Sequence, residues 1–177
     1  MMGALTMNYG QTASSEQTTL FAAEQTTKPK QAGVPIYKVT LVREGKMPWG
    51  DTRMRNSQMV SAILHKYLEG TDRENLCAVL LNQKNEITGI STISIGSLTA
   101  SVAHPREIYK IAILANCASI IIAHNHPSGD PHPSQEDRAL TARLKECGTL
   151  LGIPLVDSII IGDGNEKYFS FADENLL

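Results

Sequence analysis

The apolar run Ser119-Ile-Ile-Ile-Ala123 delivers the chain directly into His124-Asn-His-Pro-Ser-Gly-Asp-Pro-His-Pro-Ser-Gln-Glu-Asp137, and no other stretch limits the fold as tightly. The run is short, β-branched and bounded by turn residues, which predicts a buried strand. If extended geometry continues through His126, the imidazoles of His124 and His126 fall on one side of that strand. Two Pro-rich turns then return the chain to Ser134, a good N-cap, with Asp137 in the first turn of a helix that starts near Gln135. Two neutral nitrogen donors and a carboxylate converge on one point. Three protein ligands with a fourth position left for water is the pattern of a catalytic zinc, whereas structural zinc is closed by four. Ser-x-x-Asp ahead of an apolar-periodic helix is also the signature of a cap, so Ser134 and Asp137 alone do not decide the matter. The paired histidines at a strand end turn the reading toward metal.

The rest of the chain supplies a frame for that stretch. Residues 1–33 are rich in Thr, Gln, Ser, Ala and Gly without sustained periodicity, which predicts a disordered tail ahead of one domain over 34–177. Ile36-Tyr-Lys-Val-Thr-Leu-Val42 alternates and predicts a strand, and Trp49 in the following Gly/Pro loop is expected on the rim of the core. Met59, Val60, Ile63, Leu64, Tyr67 and Leu68 keep helical spacing between an Asn56 or Ser57 cap and Gly70, with His65 on the polar side. Leu76–Leu81 and Ile87–Ile95 predict a hairpin turning at residues 82–85, followed by an extended passage over 96–102. Pro105 suits the first position of a helix whose Ile108, Ile111, Ala112 and Ala115 face the sheet. After the histidine loop, Leu140, Leu144, Cys147 and Leu151 mark a helix with Gly148 as its C′ residue. Strands over 154–161 and 167–171 complete an α/β chain in which a hairpin makes the sheet mixed.

Composition narrows the function classes. A net charge of −2 and a pI near 6.2 leave no electrostatic footprint for nucleic acid. Cys77, Cys117 and Cys147 form no C-x-x-C pair and lie in apolar segments, as expected for buried thiols in a reducing compartment. The N-terminus lacks a cationic start followed by an apolar core, and no apolar run approaches a membrane span. A cytoplasmic protein with no membrane partner is the expectation.

His124-x-His126, seven residues, Ser134, two residues, Asp137 resembles the JAMM (MPN+) metalloprotease signature. The wider wording is similar to the bacterial RadC family: His104-Pro-Arg-Glu107, His124-Asn-His-Pro-Ser-Gly-Asp130, Pro133-Ser-x-x-Asp137, Leu151-Gly-Ile-Pro-Leu-Val-Asp157 and Ile159-Ile-Ile-Gly162. The resemblance runs from about Asp72 to the C-terminus. It implies a single MPN/JAB domain with a cytidine-deaminase-like mixed sheet packed with helices. It also implies Zn²⁺ held by His124, His126 and Asp137, Glu74 just before an early core strand as general base, and Ser134 steadying an oxyanion. Glu86 and Glu107 are rival bases, but Glu107 lies in a helical first turn, where the helix dipole accounts for it.

Two departures from the family stand out. No helix-hairpin-helix region precedes the domain in this sequence, and Ser158 stands where RadC relatives usually carry His after Asp157. Asn125, Pro127, Ser128 and Gly129 shape the loop, while Asp130 and His132, set among prolines, read as a turn facing solvent. The function expected from these residues is zinc-dependent hydrolysis of an amide or isopeptide bond in a protein or peptide. The competing readings are a DNA-repair-associated protein acting on or near nucleic acid, and a non-catalytic MPN-type interaction module.

Overall fold

A computed structural model describes residues 33–96, 103–164 and 166–177. The tail expected over 1–33, apart from Gly33, and the passage over 97–102 lie outside the described residues. Backbone contacts divide the chain into Met1–Lys38 and Val39–Leu177.

Within the second unit the chain runs α1 (Ser57–Tyr67), β1 (Asn75–Leu81), β2 (Ile87–Ile95), α2 (Pro105–Leu114), β3 (Ser119–Asn125), α3 (Gln135–Leu151), β4 (Leu155–Ile161) and β5 (Tyr168–Ser170). The five strands form one sheet in the order β2-β1-β3-β4-β5. β3 and β4 are parallel, joined through α3, and the other neighbours are antiparallel. The mixed sheet packed with three helices is the architecture that the pattern of residues predicts.

Alternation along the central strands divides the core into two layers. Leu76, Ala78, Leu80, Ile120 and Ile122 pack with Ile108, Tyr109 and Ala112 of α2 and with Leu140 and Leu144 of α3. Cys77, Val79, Leu81, Ile121, Ala123, Ile159 and Ile161 pack with Val60 and Leu64 of α1. Every residue of β1 is buried, which explains why that strand is continuously apolar from Leu76 onward rather than alternating. Burial pushes the Cys77 thiol up to about 12, and all three cysteines are free.

The structure departs from the sequence pattern in three places. Residues 36–42 form no strand: Val39, Leu41 and Val42 are 66%, 48% and 82% exposed. Alternation becomes a strand only where a neighbouring edge takes its hydrogen bonds, and the chain first meets the sheet later, at the Arg53–Glu86 bridge, where Ile87 N donates to Thr52 O. His65 is half-buried rather than solvated, and its Nε2 has no partner among the described residues; desolvation lowers its pKa against a hydrogen bond with the Lys167 backbone.

The third concerns Gly148, which sits inside α3, whereas Gly152 at φ 69° is the left-handed cap. The reason for glycine at 148 is a close approach. A Cβ there would stand 2.5 Å from Tyr109 Oη and 2.6 Å from the Ile153 carbonyl oxygen. Gly148→Ala gains up to ~1 kcal/mol of helix propensity, but overpacking against backbone costs about 1–3 kcal/mol. We expect a net loss of stability, read as a lowered denaturant midpoint; an unchanged or raised midpoint would contradict the close approach.

Candidate metal centre

The antiparallel register of β1 and β3 builds the centre. Leu76 faces His124 at the end of the paired register, and Glu74 lies just ahead of β1, two residues before Leu76, as His126 lies two residues after His124. Side chains two apart share a face, which places Glu74, His124 and His126 on the α2/α3 side of the sheet. Ligand atoms of these three residues lie within 4.8 Å of one another. The helix α3 adds a fourth group. Its N-cap Ser134 and residue Asp137 form a reciprocal capping box, which turns the carboxylate of Asp137 back toward the end of β3.

The donor atoms converge closely. Nε2 of His124 is 3.0 Å from Nε2 of His126 and 3.2 Å from Oδ1 of Asp137, and His126 Nε2 is 3.6 Å from Oδ2 of Asp137. Ligands about 2.0–2.1 Å from a tetrahedral zinc stand roughly 3.3 Å apart, so these separations bracket that edge length. The Glu74 carboxylate is 3.9 Å from His124 Nε2, beside the cluster.

The surroundings favour the ligand forms of these groups. Nδ1 of His126 is 2.7 Å from the Asp130 carbonyl oxygen, an acceptor, so that nitrogen carries the proton and Nε2 offers its lone pair to the cluster. Two imidazole lone pairs 3.0 Å apart repel unless a proton or a cation lies between them. Asp137 is 5% exposed, and burial works against its charge. Hydrogen bonding to His124, joined by the Ser134 N–H and hydroxyl, outweighs that and holds the carboxyl well below the usual carboxylate range. Two imidazole nitrogens and one anionic oxygen are a donor set that fits a catalytic zinc.

The remaining candidates fall into place around this point. The Ser134 hydroxyl donates to Asp137 Oδ2 at 2.6 Å and accepts from Asp137 N at 3.1 Å, so in this arrangement it serves the cap. Glu86 bonds Asn82 at the hairpin turn and Glu107 bonds Lys110, so neither joins the cluster. Asp130 and His132 pair with each other at 2.6 Å on the surface. Buried Ser158 accepts from Thr141 Oγ1 at 3.0 Å, opposite Ile122 and two residues below His124 on the ladder. Asp157 anchors the C-terminal turn through Ser158 N, Ser170 Oγ and Ala172 N.

Sequence reasoning missed two contributions near the centre. One is the Asp130 carbonyl, a backbone group that no residue identity announces. The other is Asn125, whose carboxamide reaches across to β1. A cleft of about 510 Å³ opens beside His126, lined in part by His65, Lys66, Glu69, Asn125 and Asp163. None of the described helices is long and apolar enough to cross a membrane.

A family model described as the RadC-like JAB domain matches residues 54–176. A UPF0758 protein of Moorella thermoacetica is 50% identical over 126 residues, which are 71% of this chain and 54% of that protein. A UPF0758 protein of Clostridium kluyveri is 51% identical over 127 residues, 72% of this chain and 55% of that one. One from Desulforamulus reducens is 47% identical over 137 residues, 76% and 59% of the two chains. The chain thus spans about half the length of the curated relatives it matches.

Proposed function

The chain belongs to the RadC-like JAB domain family, and from that premise we propose that it is a zinc-dependent hydrolase acting on an amide or isopeptide bond. The observation that carries the reading is the convergence of the His124 and His126 Nε2 atoms with Asp137 Oδ1, beside the Glu74 carboxylate. His124, His126 and Asp137 hold the ion. Bound there, zinc supplies Lewis acidity, lowering the pKa of a water toward ~7 and polarising a carbonyl.

The protein's own groups do the rest. Glu74 approaches the cluster at 3.9 Å from His124 Nε2, close enough to take a proton from the attacking water and return it to the leaving amine. Asp137 stays ionised, which keeps the three ligands at one net negative charge and leaves a divalent ion with excess positive charge. Ser134 can steady a developing oxyanion if its proton turns away from Asp137 Oδ2, since one hydroxyl hydrogen cannot serve both.

The test joins metal content to turnover. We expect one zinc per chain in protein purified without chelators. A panel of isopeptide-linked and C-terminally extended peptides should contain a substrate whose cleavage stops with chelator and returns with zinc. Protein that holds no zinc after careful preparation, or that holds it yet cleaves nothing in the panel, defeats the reading.

A further inference from the structure

We propose that Asn125 is a positioning residue for Glu74, holding the glutamate at a set distance from the two histidines; the inference rests on the reading of Glu74 as the base. Backbone pairing between β1 and β3 ends at Leu76–His124. Beyond that point the Asn125 side chain takes over. Its Oδ1 accepts from Asn75 N at 2.8 Å and its Nδ2 donates to Arg73 O at 3.1 Å. These are the peptide groups on either side of Glu74. One carboxamide therefore bridges the glutamate's flanks while its own backbone joins His124 to His126.

The arrangement needs asparagine. A carboxamide carries an acceptor and a donor in one plane, matching the N–H and C=O that face it. Asn125 lies on the opposite side of the strand from the histidines, so it reaches β1 without entering the cluster. The segment it grips has little other support: residues 71–74 have no regular structure. Asn75, which is buried, adds a second donor to Arg73 O at 2.8 Å, and Gly96 N donates to Glu74 O at 2.8 Å. Residues 73–75 are thus held from both neighbouring strands, and the Asn125 bonds tie their backbone to the strand that carries the histidines.

The experiment uses the full chain with Asn125→Ala and Asn125→Asp. Aspartate is nearly isosteric and protects against loss of fold; it keeps the acceptor for Asn75 N but presents no donor to Arg73 O. We expect zinc affinity within about threefold of wild type in both, because no ligand is removed. Amide exchange at Asn75 should rise about tenfold or more in Asn125→Ala and stay near wild type in Asn125→Asp. Turnover should fall about 10²-fold in both, the scale of a 1 Å misplacement. Glu74→Gln should cost far less in the Asn125→Ala background than in wild type, as expected of two residues serving one step. An Asn75 amide that stays protected in Asn125→Ala overturns the proposal. So does zinc loss matching the loss of turnover, which would make Asn125 a support for the histidine loop. Additive losses from Asn125→Ala and Glu74→Gln overturn it as well. If the wild-type chain cleaves nothing, the hydrolase reading fails instead, and a crystal structure of zinc-loaded Asn125→Ala decides the positioning: Glu74 displaced with the histidines in place supports it, and Glu74 unmoved overturns it.

Discussion

Glu74→Gln is expected to keep the fold and the zinc while turnover falls by about 10²–10⁴-fold, the usual contribution of general acid–base catalysis. The glutamate stands 3.9 Å from His124 Nε2, and in the proposed centre the ligand roles fall to His124, His126 and Asp137. Glutamine preserves length and shape but cannot accept a proton at working pH. A loss in kcat with KM little changed would place the group in the transition state rather than in substrate binding. If Glu74→Gln cleaves as fast as wild type, Glu74 is not the base. If it loses zinc along with activity, Glu74 is a ligand, and the base must be sought elsewhere.

The second large effect is expected at the ligands. His124→Ala removes a proposed ligand that is 2% exposed and central to the cluster, so zinc affinity should fall by more than the ~10–100-fold typical of residues that only support ligands. Asp137→Asn should weaken zinc and stability together, because one carboxylate serves both. Its Oδ1 faces His124, while Oδ2 accepts from Ser134 N at 2.8 Å and from the Ser134 hydroxyl. Loss of such a cap costs about 0.5–2 kcal/mol.

The pH dependence follows from the same group. Burial opposes the Asp137 charge, but His124 and Ser134 hold its folded pKa below the ordinary value, so its stabilisation is present above the unfolded aspartate range. It is lost as the pH falls toward the folded pKa. Stability of the metal-free wild type should therefore drop on acidification below pH ~4, and Asp137→Asn should flatten that drop. Equal zinc affinity in Asp137→Asn and wild type would remove the carboxylate from the ligand set.

Much of this was legible in the residues. The β-branched run before His124 and the His-x-His spacing announced a strand end with two imidazoles on one face. The Ser134–Asp137 pair announced a helix start. Local periodicity determines such features, because side-chain direction in a strand or a first helical turn follows from the backbone alone. It misjudged residues 36–42, where alternation found no neighbouring strand, and Gly148, where the reason for glycine is Tyr109 and Ile153.

The sequence by itself determined that two histidines and a capping aspartate could act together, and the family resemblance added a glutamate ahead of a core strand. Only the tertiary structure decided that they meet. Glu74 lies fifty residues before His124, and the antiparallel pairing of β1 with β3, which ends at Leu76–His124, brings it near the histidines. The same register gives Asn125 its partners at Arg73 and Asn75, and the turn after β3 gives His126 the Asp130 carbonyl. Those contacts are made through main-chain N–H and C=O groups, which every residue carries alike, so no reading of side-chain identity could have found them.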